Sequence, residues 1–343
     1  MTTGKRETVG IREVARRCGV SPATVSLAFS GKRPVSDPVR RRIIEVAKAL
    51  HYEPNQWARN MIRGRTHVIG FVTDTLTNPF TAFVTERLEA EAREYGYQVW
   101  PAITGGSREQ GERYVGRFRR MRVDGMVITT RSISGEQIRE LIDLGMPVAH
   151  PLRAVPGCNS NPVRVDFAQG IRLVMEYLHG LGHRRIAFIA GPQDDRTSVE
   201  RLEAYRRCAY ELGTADDPRL TVMGGEGPGY GAAACRELLE REVAFSAVVS
   251  SNDNMAFEAI GTLAGCGRRA PQDVSVTGFD DVPACDLWQP RLTSVSFDAS
   301  EIARETIAQL IRQIEDETPI QTRGITPQLV VRDSCAEPNP RYL

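Results

Sequence analysis

"IREVARRCGVSPATVSLAFSGKRPVS", residues 11–36, holds two short apolar-periodic stretches separated by a stop and a start. Ile11, Val14, Ala15 and Cys18 recur at helical spacing. Gly19 follows, suited to the left-handed conformation that ends a helix. Ser21 can cap the next helix through its hydroxyl, and Pro22 falls at the first helical position, where its missing N–H costs nothing. Val25, Ala28 and Phe29 supply a second apolar face, and the small Ala15 and Ala23 allow close approach. The spacing predicts one helix, a short turn and a second helix. A third helix is expected from Asp37 to about Tyr52, with Val39, Ile43, Val46, Ala47 and Leu50 closing a small core. This is a helix-turn-helix pattern, whose second helix normally enters the DNA major groove. Ala23, Thr24, Ser26, Leu27 and Ser30 cannot all fit the buried face, so some point outward. Short hydroxyls there can reach phosphates or base edges, and Leu27 can touch a thymine methyl. Ser21, Pro22, Ser36 and Arg40 complete the candidate DNA contacts of the head.

Charge distribution supports that partner. The 343 residues carry a net charge of only +1, but residues 1–65 hold 14 Lys and Arg against 5 Asp and Glu. A basic head on an acidic body points to a polyanion, although a solvated surface would carry the same charges. Seven cysteines, at 18, 158, 208, 235, 266, 285 and 335, show no C-x-x-C spacing. Buried free thiols in a reducing compartment are expected. The polar opening Met1–Gly10 does not resemble a signal peptide, and no apolar run is long enough for a membrane span. The expectation is a cytoplasmic protein with no membrane partner.

From Thr66 onward, β-rich runs alternate with helical patterns. The runs are "HVIGFV", "YQVWPAI", "GMVITT", "PVAHPL", "VRVDF", "RIAFIAG", "LTVM", "AFSAVVSS" and "DVSVTGFD". Helices are expected at Phe80–Tyr95, Glu109–Met121, Phe167–Leu181, Arg196–Leu212, Gly231–Arg241 and Asp253–Leu263. The alternation predicts parallel sheets with helices on both faces, and the number of strands predicts two similar lobes. Ligands in such sheets bind beyond the carboxyl ends of strands. Asp74, Thr130, Arg131, His150, Gln193, Asn252 and Asp280 stand there, and Arg201 lies on the helix after the "AGP" loop. Trp288 can supply a stacking wall. A lone histidine such as His150 is more often structural than ligand-binding. "GGEGPGYG" (224–231) lacks the spacing of a phosphate-cradling loop and reads as a connection. The five histidines show no metal spacing, no nucleophile-elbow pattern occurs, and neither a cofactor nor a metal is expected.

Taken together, "IREVARRCGVSPATVSLAFSGKRPVS", "LHYEPNQWARNMIRG", "NPF", "VDGMVI", "LGHRRIAFIAGP", "SNDNMA", "VSVTGFDD" and "PQLVVRDS" resemble the lactose/galactose-repressor family over nearly the whole chain. The resemblance implies an N-terminal all-α head (1–53), a hinge helix (54–65), an α/β two-lobed periplasmic-binding-protein-like core with two doubly wound parallel sheets (66–335), and a tail (336–343). Lobe 1 would hold about 66–163 and 298–324, and lobe 2 about 164–297 and 325–335. The resemblance implies a homodimer on near-palindromic operator DNA, with Asn55, Ala58 and Met61 of the hinge at the minor groove. Met61 stands where leucine is usual. Asp74, Arg201, Asn252 and Asp280 match the family's effector-binding positions, with Phe80, Arg131, His150 and Trp288 as further candidates. Leu152 stands where many sugar-binding members carry Asp, and Leu27 where many carry a polar base reader. The implied function is a ligand-responsive transcriptional repressor, not an enzyme, whose effector is a small polar metabolite such as a sugar. The alternatives are a sugar-binding receptor and a sugar- or nucleotide-using α/β enzyme, both without a DNA role. Met61→Gly should weaken specific DNA binding in a gel shift while leaving the ligand affinity of the DNA-free protein nearly unchanged. Unaltered operator affinity would remove Met61 from the minor groove.

Overall fold

Gly19 ends the first helix in the left-handed conformation, with φ 67°. Its N–H reaches the Arg16 carbonyl at 3.3 Å, and the Val20 N–H reaches the Ala15 carbonyl at 3.1 Å. Ser21 then accepts the Thr24 N–H on its hydroxyl at 3.1 Å. The stop and start chemistry thus gives α1 (Ile11–Cys18) and α2 (Pro22–Ser30), followed by α3 (Asp37–Ala49). Val14, Ala15, Cys18, Val25, Ala28, Ile43 and Ala47 form the buried core of this head. Ala23 is exposed, so the close approach of α1 and α2 uses Ala15 and Ala28 rather than Ala23. The computed structural model describes residues 9–30, 35–52, 64–152, 163–214, 217–225, 227–316 and 322–340, and for Ser30 the backbone only. The chain divides into two compact units, Met1–Thr66 and His67–Leu343. The hinge candidates Asn55, Ala58 and Met61 lie outside the described residues.

The second unit is built on two principal sheets. The first runs β2 (Gln98–Ile103), β1 (Val68–Thr73), β3 (Gly125–Ile128), β4 (Val148–Ala149), all parallel. The second contains β6 (Ile186–Ala190), β7 (Thr221–Met223), β8 (Ala247–Ser250), β9 (Ser275–Phe279), β10 (Thr293–Ser296) and β12 (Gln328–Val330). Its spatial order is β12-β10-β9-β8-β6-β7, with only β12 antiparallel. A separate parallel pair joins β5 (Val163–Val165) to β11 (Arg323–Ile325).

Strands buried on both faces need helices on both sides. Around the first sheet, α5 (Arg108–Met121) and α6 (Gly135–Asp143) contribute Val115, Phe118, Ile138 and Leu141 to one core. On the other face, α4 (Pro79–Glu94) and α12 (Ala299–Ile314) contribute Leu88, Ile307 and Leu310. The second sheet is covered on one face by α7 (Phe167–Gly180) and α8 (Arg196–Glu211). Its other face carries α9 (Tyr230–Glu240) and α10 (Asp253–Gly265). This is the doubly wound, two-lobed α/β arrangement.

The elements α6, α12, β10, β11 and the short α11 (Ala284–Leu287) fall outside the sequence expectation. Strand β10 reads as polar, because its buried Thr293 and Ser294 serve hydrogen bonds rather than an apolar face. Helix α6 carries a readable capping box at Ser134 and Gln137. Helix α12 carries an apolar stripe, Ile302, Ala303, Ile307, Leu310 and Ile311, at readable helical spacing.

Gly70 shows how tightly the first sheet is packed. A Cβ there would lie 2.6 Å from the Phe118 ring. Gly70→Ala should destabilise the body by about 1–3 kcal/mol through overpacking. The thermal midpoint should fall by about 2–4 °C for each kcal/mol lost, and an unchanged midpoint would contradict the close packing.

Candidate functional site

Both principal sheets reverse their order of winding beside their first strand, at β1/β3 in one and at β6/β8 in the other. Each reversal leaves a crevice at the carboxyl ends of the strands. The two crevices share one cavity of about 510 Å³. Asp74, Thr129 and Arg131 reach it from the first sheet, and Gly191, Asn252 and Asp280 from the second. Phe80 begins the next helix and stacks edge-on against Phe297, with ring centroids 5.2 Å apart, on the same wall.

Asp74 is held more completely than the sequence suggests. Its Oδ1 accepts hydrogen bonds from the hydroxyls of Thr104, Thr130 and Ser132, and its Oδ2 accepts the Arg131 N–H at 3.0 Å. Burial pushes this carboxyl up, and those four donors outweigh burial and hold it below the ordinary value. Its oxygens are therefore committed to the loops that follow β2 and β3. Asp74 orders the wall rather than offering a free acceptor.

Arg131 crosses the cleft. Its backbone serves Asp74, while its guanidinium pairs with Asp194 of the other lobe at 2.5 Å. Asp194 and Asp195 begin the turn that starts α8. Asp195 caps that helix, accepting the Thr197 and Ser198 N–H groups at 3.3 and 3.2 Å and both their hydroxyls. Burial pushes Asp195 up, but the hydroxyls of Thr197 and Ser198 and the charge of Arg201 hold it below the ordinary value.

Arg201 projects from α8 between two phenyl rings, 4.6 Å from the Phe167 centroid and 4.4 Å from the Phe279 centroid. One terminal nitrogen donates to the Ser251 carbonyl at 3.0 Å. The other stands 3.8 Å from Asp280, and the buried Nε has no hydrogen-bond partner. Asp280 has φ 113° and Asp281 φ 51°, a conformation that non-glycine residues seldom adopt. Backbone bonds fix it: the Asp280 N–H donates to the Val295 carbonyl at 2.9 Å and the Asp281 N–H to the Ser294 hydroxyl at 3.1 Å. Behind the turn, buried Asp253 accepts the Val282 N–H at 2.8 Å and the Ser294 hydroxyl. Burial pushes Asp253 up to about 7 and Asp280 well above the ordinary value, with Arg201 drawing Asp280 back down.

Of the candidates from sequence, Asp74, Phe80, Arg131, Arg201, Asn252 and Asp280 meet at this cavity. Asn252 lies at the wall while its side chain caps α10 through the Met255 N–H at 2.9 Å. His150 does not reach the wall. It is fully buried, and the chain turns so that Pro151 and Leu152 face the cavity instead. Trp288 is also elsewhere: its ring packs on Phe257 at 4.8 Å and is 42% exposed. Gln193 is replaced at the wall by Asp194 and Asp195. The N-cap spacing of Asp195 before Thr197 and Ser198 was the signal that could have found them. The glycine-rich stretch at 224–231 ends with its N–H groups already occupied. Glu258 accepts from Gly229, Gly231 and Ala232 at 2.7, 2.7 and 3.2 Å. His183 is fully buried between the Ser246 and Ser275 hydroxyls and the Ala336 carbonyl, a structural role. Among the described residues, no group of three His, Cys, Asp or Glu side chains is arranged to hold a metal ion.

In the head, Ser21, Pro22, Ala23 and Ser36 are exposed, and Thr24, Ser26 and Leu27 are half-buried on α2. The side chain of Ser30 lies outside the described residues. Arg40 is exposed, but its Nε donates to the Ala28 carbonyl at 3.1 Å, which ties α3 to α2. Part of its guanidinium is therefore committed within the head. Residues 10–55 match the bacterial regulatory proteins of the lacI family, and residues 175–335 match the periplasmic binding protein-like domain. The transcriptional regulator AscG of Escherichia coli is 34% identical over 332 residues, covering 95% of this chain and 98% of that one.

The chain belongs to the lacI family of bacterial regulatory proteins.

The regulator CelR of Thermobifida fusca is 32% identical over 96% of this chain and 99% of its own. A solved CelR–cellobiose complex superposes with a TM-score of 0.70 at 30% identity, over 95% of this chain and 99% of that one. The lac repressor dimer bound to operator shares the fold, with a TM-score of 0.84 at 21% identity over 96% of this chain and all of that one. These lacI-family relatives are transcriptional regulators rather than enzymes. This chain is a DNA-binding transcriptional regulator with a helix-turn-helix head and a two-lobed core.

Asp74 carries a pH signature in this core. Because its folded value is lowered, its stabilisation is fully present above the ordinary aspartate value of about 3.9 and is lost as pH falls through the folded value. Asp74→Asn should lower stability at pH 7 by about 1.5–3 kcal/mol. The gap from the unmodified protein should close below about pH 4. Denaturation curves at both pH values check this, and a gap that persists in acid would refute the charge-based account.

Proposed function

We propose that this regulator is a repressor that binds a near-palindromic operator as a homodimer and responds to a sugar or similar polar metabolite in the interlobe cleft. The arrangement of Arg201 and Asp280 is the observation that carries the reading. A guanidinium and a carboxylate 3.8 Å apart, at a cavity wall, are too far apart to satisfy each other fully. Together they offer donors and an acceptor side by side, which suits neighbouring hydroxyls on one ligand. Phe80 and Phe297 offer an apolar face beside them, suited to the carbon framework of the same ligand. Similar proteins point the same way, since CelR was solved with cellobiose and the ribose operon repressor of Escherichia coli is 30% identical over 95% of this chain.

On this reading, Thr24, Ser26 and Leu27 face base edges, and the exposed Arg41 and Arg42 meet phosphates. Residues 54–65 act as the hinge, with Asn55, Ala58 and Met61 at the minor groove. About ten residues are too few for a stable isolated helix, which supports folding of that segment against DNA. The dimer contact runs through helices of the body, including α4. Such a regulator works in the cytoplasm, where its DNA is. Among the described residues, no helix is long and apolar enough to cross a membrane. Coupling between ligand and DNA in such systems is about 1–3 kcal/mol and reciprocal, so DNA must alter ligand affinity by the same factor.

Arg201→Ala tests the assignment. DNA sites selected by the protein from a random pool should bind the variant as tightly as the unmodified chain, measured by fluorescence anisotropy. The response to any sugar that shifts the unmodified protein should vanish. Retained response, or loss of DNA binding in a folded variant, would overturn the cleft assignment.

A further inference from the structure

We infer that the cleft selects an uncharged polyhydroxyl ligand and that Asp194 turns anionic ones away; this rests on the effector reading above and narrows it. An anion in a protein cleft needs an unmatched cation or an open helix N-terminus. Each arginine that lines this cleft stands beside a carboxylate, and two of its helix starts already hold one. Arg131 is paired with Asp194, with Asp74 3.9 Å away on its other side. Arg196 pairs with Glu200 at 3.1 Å. Arg201 stands 3.8 Å from Asp280, and its charge also acts on Asp195.

Two of the helix starts at the cleft hold carboxylates as well. The N-terminus of α8, a 16-residue helix aimed at the cavity, has its Thr197 and Ser198 N–H groups on Asp195. The N-terminus of α9, beside the wall residue Gly225, has its N–H groups on Glu258. A phosphate or carboxylate bound at these arginines or at the start of α8 or α9 would therefore displace an internal carboxylate and then lie against it. A sugar hydroxyl needs no such exchange, because it both donates and accepts. Asp194 differs from the other carboxylates. Its side chain is 77% exposed, and it anchors no helix and no loop. Its charge can be removed without dismantling the fold.

The test uses the full chain with glucose, galactose, ribose and cellobiose, each beside its own monophosphate, by isothermal titration at low salt. The best neutral sugar should bind at least about tenfold more tightly than its phosphate. Asp194→Asn should narrow that ratio by about three- to tenfold, mainly through better phosphate binding. Glu94→Gln removes the same charge away from the cleft and should leave the ratio unchanged. A phosphate that matches or exceeds its neutral parent overturns the inference while leaving the effector reading intact. So does a ratio that Asp194→Asn leaves alone, or one that Glu94→Gln shifts as far. If none of the eight compounds binds a chain that still binds DNA, the sugar-effector reading itself falls, and the inference falls with it.

Discussion

A parallel sheet brings the ends of all its strands to one edge, and a change in winding direction opens a gap there. In this protein the change occurs twice, at β1/β3 and at β6/β8, and the two gaps share a cavity. The helices that cover the sheets close every other face. The strand ends are therefore a place where the body can hold polar side chains out of bulk water. Each such group must find a partner or raise the free energy of the fold.

The aspartates around the cavity answer that demand in different ways. Asp74 gathers three hydroxyls and a backbone N–H from separate loops, so its charge orders the wall. Asp195 spends its charge on the start of α8. Asp280 is the under-served member, buried at a backbone φ of 113° with a guanidinium 3.8 Å away. Asp253 helps to hold that turn in place. Replacing Gly278 by any other residue would bring a Cβ within 2.1 Å of Asp253 Oδ1, so the strand glycine and the buried carboxylate depend on each other. Two rings sandwich Arg201 and stabilise a cation whose Nε has no acceptor. The strained turn at Asp280 and the unpartnered Arg201 Nε both lie at the cavity, where a ligand could relieve them.

The head works under a different constraint. Its core is small: among the described residues, seven buried side chains hold three helices together. Capping therefore carries more of the structure. Ser21 and Gly19 define the turn, and the bond from Arg40 to the Ala28 carbonyl ties the third helix to the second. A rigid turn with exposed residues around it suits recognition of an independent, regular surface such as a DNA groove.

Local chemistry was enough to read the head, because its caps and apolar periods act between residues near each other in the chain. Parallel α/β alternation was legible for the same reason, as were the polar residues just past the ends of strands. What escaped depends on how distant segments meet. His150 follows the same sequence logic as Asn252 and Asp280, and Trp288 reads as a stacking wall, yet packing turns one into the interior and stacks the other on Phe257. Strand β10 looks polar until its hydroxyls find Asp253 and the Arg332 N–H. No spacing rule distinguishes the saturated Asp74 from the poorly served Asp280. Their partners come from loops as far as 58 residues away for Asp74, and the Arg201 guanidinium arrives beside Asp280 from another helix. Residue type and periodicity decide which groups can be polar, capped or buried. The folded arrangement decides which of them are left with hydrogen-bonding capacity to give a ligand.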